Sequence, residues 1–437
     1  MKAVALLHST PAMNQSKTRI LFVDDEPIIL ELVRLSVSSM KGEWETAFAK
    51  SAEEALGLME NGRPSQSDAT SVQSLTPANH SRASEAEADP FDIVVTDMQL
   101  PGISGAQLLN AVMRRFPATI RIILSGYGDQ ELVMKCVGSA HQFLLKPFKL
   151  ADLKSALKRI NGLKERLHSA EIQRLVGRKE FLPSVPDVYF KVLDALQNPD
   201  CPVERIGEIV DTDPAVTIKL LQLVNSAFLG FAREVSSADE AVMILGTGTI
   251  RSLVLSLHLF SVYSASKPES GSLEKVWSHS VRVGRLAQRI ARLEGADEKV
   301  VEESFTAGLL HDVGKLILSE NPSANYLQVV ARAREAKRRL VDAERAAFEA
   351  THAEVGAYLL DLWGLPLPLV EAVAWHHEPA RVSEPVFGPL TAVHVANVLD
   401  QETTCPEGVP DELDGDYLEQ LKLGDRLDAW RKEAKTM

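Results

Sequence analysis

The chain of 437 residues is short of several things, and each shortage narrows what it can do. Cysteine is scarce: Cys136, Cys201 and Cys405 lie far apart and form no C-x-x-C pair. That argues against a disulfide framework and predicts free, buried thiols in a reducing cytoplasm. No apolar run approaches the ~18 residues of a membrane span, so no membrane partner is expected. The opening "MKAVALLHSTPA" holds only the short apolar run "AVALL", too little for a signal-peptide core. Residues 1–17 read as a disordered tail, with "MNQSKTRILFVDDEP" from Met13 resembling a natural beginning. An excess of positive charge is also missing. Lys and Arg number 47 against 60 Asp and Glu, a formal net charge of −13, so no nucleic-acid partner is expected.

What is present is a globular composition, 45% hydrophobic and 24% charged, in a chain long enough for two or three domains. The first part alternates apolar strands with amphipathic helices. "RILFV" (19–23) reads as a buried strand, with a helix starting near Pro27. "SAEEALGLME" (51–60) reads as a helix with Ser51 as N-cap and Glu54 completing a capping box. Residues 61–90, rich in Ser, Ala, Asn, Pro and acid, show no periodicity and predict a disordered insertion. "FDIVVTD" (91–97), "IRIILSG" (120–126) and "HQFLLKP" (141–147) are further strands. Strands alternating with helices predict a doubly wound parallel sheet, which places function at the carboxyl ends of the strands.

Those ends carry Asp24 and Asp25, then Asp97, then Ser125, then Lys146. Crowded carboxylates repel, and a hard divalent cation such as Mg²⁺ relieves them. A carboxylate so placed can attack a phosphoryl group and become an acyl phosphate, while a lysine offsets charge on the phosphoryl oxygens. "FVDDEP", "DIVVTDMQLPGISG", "IILSGYGD" and "FLLKPF" give residues 18–155 a specific resemblance to the receiver domain of two-component response regulators. The resemblance implies a five-stranded sheet. It implies Asp97 as phosphoacceptor, with Asp24, Asp25, Asp97 and the backbone carbonyl of Gln99 as Mg²⁺ ligands. Ser125 and Lys146 become the hydroxyl and cation of the site, and Phe143, three residues before Lys146, the aromatic switch. It implies a sensor histidine kinase as partner.

Residues 150–176 form one charged helical pattern. Leu153, Leu157, Ile160, Leu163 and Leu167 fall near a 3.5–3.6 period. It reads either as the last receiver helix or, in its far half, as a connector that pairs two copies into a homodimer. Beyond Gly177 the strand signals vanish and apolar residues recur at helical spacing, so 177–437 is expected to be all α. Asp213 before Pro214 caps one of these helices.

Six candidate metal ligands are spread through this half. They are His279 in "VWSHSV", His311 and Asp312 in "GLLHDVGK", His352 in "ATHAEVG", and His376 and His377 in "AWHHEP". Imidazoles with a bridging carboxylate suit iron, manganese or zinc, and two such metals can activate a water against a phosphodiester. These motifs, with "LPSVPDVYFKVL", "DTDPAVTIKLLQLVNSAFLG" and "AVMILGTGTIRSLVL", resemble an HDOD domain, a relative of the HD hydrolases. The resemblance implies an output module acting through protein contacts on an unknown downstream protein. The catalytic cousins follow "HHE" with G-Y-P and finish the site in an A-D-x-x-D segment. Here "HHEPARVSEP" has no G-Y-P, and "ANVLD" puts Asn397 at the first acidic position and Asp400 at the second. A neutral amide cannot supply the charge that helps hold a divalent metal. The expectation is a phosphorylation-controlled interaction module. The alternatives are a receiver-gated, metal-dependent phosphohydrolase and a sensor that binds a nucleotide without turning it over.

Overall fold

The computed structural model describes residues 17–38, 42–61, 89–126, 139–146, 169–178, 201–225, 234–246, 270–320, 325–404 and 411–436, with isolated positions between them. Two compact units emerge, divided between Ser155 and Ala156.

The first unit is a five-stranded, all-parallel sheet in the order β2-β1-β3-β4-β5. Its strands are β1 (Thr18–Val23), β2 (Trp44–Ala49), β3 (Ile93–Asp97), β4 (Ile120–Ser125) and β5 (Gln142–Leu145). Helices α1 (Pro27–Val37), α2 (Ala52–Asn61) and α3 (Gly105–Arg115) connect them. The continuous apolar runs form the middle of the sheet: Ile20, Leu21, Ile93, Val94, Val95, Ile122 and Ile123 are fully buried. Each such side chain contributes roughly 1.5–3 kcal/mol of burial. Strand β2 carries no apolar run. "WETAFA" lies at the sheet edge with only its first and last residues buried, so its sequence does not resemble its neighbours. The capping of α2 is also offset from the expected box. Ser51 Oγ accepts from Glu54 N–H at 3.2 Å, but Glu54 reaches back to Lys50 N–H, one residue earlier than Ser51.

The second unit, taken by itself, is helical. Its helices are α4 (Ala170–Gly177), α5 (Val203–Val210), α6 (Pro214–Asn225), α7 (Ser270–Leu293), α8 (Glu298–Leu310), α9 (Val313–Leu318) and α10 (Tyr326–Glu335). They continue with α11 (Leu340–Phe348), α12 (His352–Leu362), α13 (Leu367–Trp375), α14 (Pro389–Thr404), α15 (Gly415–Gln420) and α16 (Leu427–Ala434). Asp213 caps α6 through Ala215 N–H at 2.8 Å. α7 packs on α8 and α14, α9 on α12, and α13 on both α12 and α14. Two glycines let these helices approach. A Cβ on Gly308 would stand 2.7 Å from the Cα of Gly284, and one on Gly314 would stand 1.9 Å from the His352 carbonyl oxygen.

Among the described residues no helix is long and apolar enough to cross a membrane. Cys201 is half-buried, so the expectation of a buried thiol fails there. Cys136, Cys405, the tail, nearly all of the 61–90 insertion and most of the 150–176 pattern lie outside the described residues.

Candidate functional site

Two separate groups of chemistry-bearing side chains stand out, one in each unit. In the sheet, Asp24 follows β1, Asp97 ends β3, Ser125 ends β4 and Lys146 follows β5. The strand order makes these ends neighbours, with Asp97 opposite Leu124 and Ser125 opposite Leu145. Lys146 Nζ lies 2.7 Å from Asp24 Oδ2 and 2.7 Å from Asp97 Oδ1. The other oxygen of Asp97 accepts from Gln99 N–H at 3.1 Å, and Asp24 Oδ1 accepts from Glu26 N–H at 2.9 Å. Asp25 is exposed beside them. The approach is tight because residue 105 is glycine: a Cβ there would stand 1.9 Å from the Asp97 carbonyl oxygen. Phe143 is buried inside the sheet in this state.

Burial raises the pKa of Asp97 above the usual carboxylate range, against the opposing pull of Lys146, and the nearby Asp24 adds to the rise. For Lys146 burial works downward, yet its hydrogen bonds to Asp24 and Asp97 win and its pKa is raised. Ser125 Oγ is fully buried and has no hydrogen-bond partner among the described residues. Packed carboxylates with hard oxygen donors, and a hydroxyl left without a partner, fit a divalent cation and an incoming phosphoryl oxygen.

In the helical unit the candidate ligands sit mostly at helix ends. His311 caps the C-terminus of α8 and Asp312 the N-terminus of α9. His352 opens α12, and His376 caps α13. His279 alone is mid-helix, on α7. Helix C-termini leave backbone carbonyls without partners. The Nδ1 of His311 meets the Gly308 carbonyl at 2.7 Å, and the Nδ1 of His376 meets the Val373 carbonyl at 2.8 Å. Carboxylates take the same part elsewhere: Asp400 Oδ2 lies 2.7 Å from His279 Nδ1, and Glu344 Oε2 lies 2.7 Å from His352 Nδ1. His377 Nδ1 lies 2.8 Å from Asp411 Oδ2, in an ion-pair contact without the alignment of a hydrogen bond. Carbonyls and carboxylates only accept, so the four hydrogen bonds put a proton on Nδ1 of His279, His311, His352 and His376, and all five rings turn Nε2 inward.

The inward atoms converge. His279 and His311 bring their Nε2 atoms to 3.3 Å, and His352 and His377 to 2.9 Å. His279, His311 and Asp312 form one group whose ligand atoms all lie within 4.8 Å of one another, and His352, His376 and His377 form a second. Asp312 reaches both, with Oδ1 3.5 Å from His311 Nε2 and 3.3 Å from His352 Nε2, and Oδ2 3.6 Å from His279 Nε2. Facing imidazole nitrogens need a proton or a metal cation between them, so this donor set fits a metal. His376 Nε2 is buried without a partner among the described residues.

The charges around the cluster are arranged accordingly. Burial pushes His311 down to about 3 and His376 well below the usual imidazole range. Burial also opposes a charge on His352, but Glu344 and Asp312 overcome it and raise this histidine to about 9. Asp312 is held well below the carboxylate range: burial would raise it, and His311, Lys315 and His352 outweigh that. Lys315 Nζ lies 2.6 Å from Asp312 Oδ2.

The structure thus brings all six predicted residues of this half together, and it refines the reading of Asn397 and Asp400. Asp400 is gripped by Arg282 through two hydrogen bonds of 2.7 and 3.0 Å and serves the outer nitrogen of His279. Asn397 Oδ1 faces the inner nitrogen, 3.1 Å from His279 Nε2. Sequence reasoning missed Glu344, Arg282 and Asp411 entirely. Lys315, three residues after Asp312, stood inside the quoted motif and could have been noticed.

Two family models match the chain: an HDOD domain over residues 182–379 and a response regulator receiver domain over residues 66–158. The chain is 30% identical over 230 residues to a cyclic di-GMP phosphodiesterase of Thermotoga maritima, covering 52% of this chain and 46% of that one. It is 29% identical over 140 residues to the response regulator protein PilR of Pseudomonas aeruginosa, covering 32% and 25%. The chain therefore spans less than half the length of these curated relatives. Among solved structures, the MmoQ response regulator from Methylococcus capsulatus matches with a TM-score of 0.43 and 26% identity, over 57% of this chain and 98% of that one.

Proposed function

We propose, for a chain that belongs to the response regulators and joins a receiver domain to an HDOD domain, that phosphorylation of Asp97 controls the HDOD domain as a protein-interaction module. The observation that carries this is the double contact of Lys146 Nζ, 2.7 Å from both Asp24 and Asp97, beside the Ser125 hydroxyl, which has no partner among the described residues. A carboxylate oxygen of Asp97 attacks the phosphorus of a phosphohistidine on a sensor kinase. The P–N bond breaks, the leaving imidazole nitrogen takes a proton from solvent, and an acyl phosphate remains on Asp97. Lys146 offsets the charge of the phosphoryl oxygens, and Ser125 donates its hydroxyl hydrogen to one of them. Asp24, Asp25, Asp97 and the Gln99 carbonyl would hold Mg²⁺, which supplies further charge neutralisation when bound. Phe143, on β5 beside Ser125's strand, is the residue through which the change reaches the rest of the domain.

In this reading residues 18–155 are the receiver, 150–176 the connector and 177–437 the HDOD domain, in a cytoplasmic protein. The experiment is affinity capture from the source cell with phosphorylated wild type against Asp97→Ala. The reading expects partner sets that differ between the two. Identical sets would contradict it.

A second reading is favoured by one observation, the bridging of two ligand groups by Asp312. The HDOD domain would hold iron, manganese or zinc through His279, His311, Asp312, His352, His376 and His377. The Thermotoga maritima relative's activity supports a hydrolytic role for such a site. Against turnover stand the neutral Asn397 and the Lys315 ammonium on Asp312, so we assign the site metal binding without useful phosphodiester cleavage. Cyclic di-GMP hydrolysis by the metal-loaded protein would overturn that assignment.

A further inference from the structure

We infer that Asp411 is a positioning carboxylate for the histidine cluster, and that Asn397 is the residue that seats it. The inference rests on the reading of the cluster as a metal holder and is independent of phosphoryl transfer at Asp97. Every inward-facing histidine has an oxygen at its outer nitrogen, and for His377 that oxygen comes from Asp411, 2.8 Å away. The other two carboxylates in this role have strong partners of their own. Asp400 is paired with Arg282, and Glu344 accepts from Tyr326 Oη at 2.7 Å and His352 N–H at 2.9 Å. Asp411 is held instead by amides. Asn397 Nδ2 donates to its Oδ2 at 3.3 Å and Gln401 Nε2 at 3.2 Å, while Gln401 Oε1 accepts from Asp411 N–H at 3.0 Å. Arg339 Nε stands 3.8 Å away.

Asn397 and Gln401 are one turn apart on α14, so one helix face forms the seat. The orientation of the Asn397 amide follows from it. Its nitrogen faces a carboxylate and its oxygen accepts from Gln401 Nε2 at 3.0 Å, so the oxygen is also the atom facing His279. Asn397 is then more than a lost ligand. A carboxylate at 397 would face the Asp411 carboxylate at hydrogen-bonding distance and repel it. The negative charge has moved from the helix to the segment that follows it, and the amide is the complement of that move. An orienting carboxylate on a ligating histidine raises its basicity, and its loss typically costs about 10–100-fold in metal affinity.

The test is Mn(II) and Zn(II) binding by the metal-stripped full-length chain, measured calorimetrically for wild type, Asp411→Asn, Asn397→Asp and the double variant. Melting of each apo protein reports folding separately. The expected result is wild-type binding, a loss of about 10-fold or more in Asp411→Asn, no gain in Asn397→Asp, and recovery in the double variant. That recovery is a response a merely structural role would not give. Asp411→Asn binding as tightly as wild type would overturn the inference alone, and so would Asn397→Asp binding more tightly by itself. Wild type binding neither metal would overturn the reading beneath it as well.

Discussion

The two sites solve one electrostatic problem in opposite ways. The receiver edge gathers oxygens: Asp24 and Asp97 crowd together and share the Lys146 ammonium. The HDOD cluster gathers nitrogens: five histidines turn their inner nitrogens toward one another, held from outside by carbonyls and carboxylates. In the first, the strands do the positioning, because consecutive strand ends in a parallel sheet lie side by side. In the second, an outer layer of partners does it, and the carboxylates of that layer come from α11, α14 and the segment after α14. A site built on strand ends needs few supports, whereas one built on helix ends depends on residues far off in sequence.

The largest effect is expected from separating the helices while leaving the sheet alone. Gly314→Val places a Cβ 1.9 Å from the His352 carbonyl oxygen, a distance no two such atoms can keep, so Asp312 and His352 must part. The expected cost is about 3 kcal/mol or more in denaturant unfolding, with loss of metal binding and unchanged phosphorylation of Asp97. On the receiver side, Lys146→Met leaves Asp24 and Asp97 facing each other without their shared cation. A loss of about 1–3 kcal/mol is expected, and Mg²⁺ should restore more stability to this variant than to wild type. Equal Mg²⁺ response in the two proteins would show that the lysine and the cation do not serve the same carboxylates.

A third acidic spot differs from both because no cation pairs with it among the described residues. Burial, helped by Asp239 and Glu302, pushes Asp211 up to about 8 from the ordinary 3.8, and its Oδ1 has no hydrogen-bond partner among the described residues. The folded protein therefore binds this proton more tightly than the unfolded chain does. Stability from Asp211 is complete below pH 4 and is lost as pH rises toward 8. Asp211→Asn should stabilise the protein by about 1–2 kcal/mol at pH 8 and by almost nothing at pH 4, read as melting temperature against pH. The smallest effect is expected at Ser125. Its hydroxyl has no partner among the described residues, so Ser125→Ala should move stability by less than about 0.5 kcal/mol while slowing phosphoryl transfer.

How much of this was legible in the sequence follows from the same contrast. The buried strands announced themselves by their apolar runs, and with them Asp24, Asp97, Ser125 and Lys146 at their ends. Strand β2 did not, because an edge strand only half-buried along its middle needs no apolar run. The six metal-ligand candidates of the helical unit were legible as residue types, and the structure gathers them. Their supports were not. Nothing in "VDAERAAF" sets Glu344 apart from a solvated helix acid, yet it is fully buried under His352. Asn397 looked like a missing charge because the charge had moved to Asp411, beyond the end of the helix that carries the motif. Periodicity locates the face of a helix, but not the loop residue that folds back on it.

Whether Asp97 accepts a phosphoryl group is decided by intact-protein mass spectrometry. Wild type and Asp97→Ala are incubated with acetyl phosphate, with and without Mg²⁺. The expected result is a gain of one phosphoryl group in wild type that requires Mg²⁺ and is absent from Asp97→Ala. A gain that persists in Asp97→Ala, or a wild type that stays unmodified with Mg²⁺ present, would contradict it.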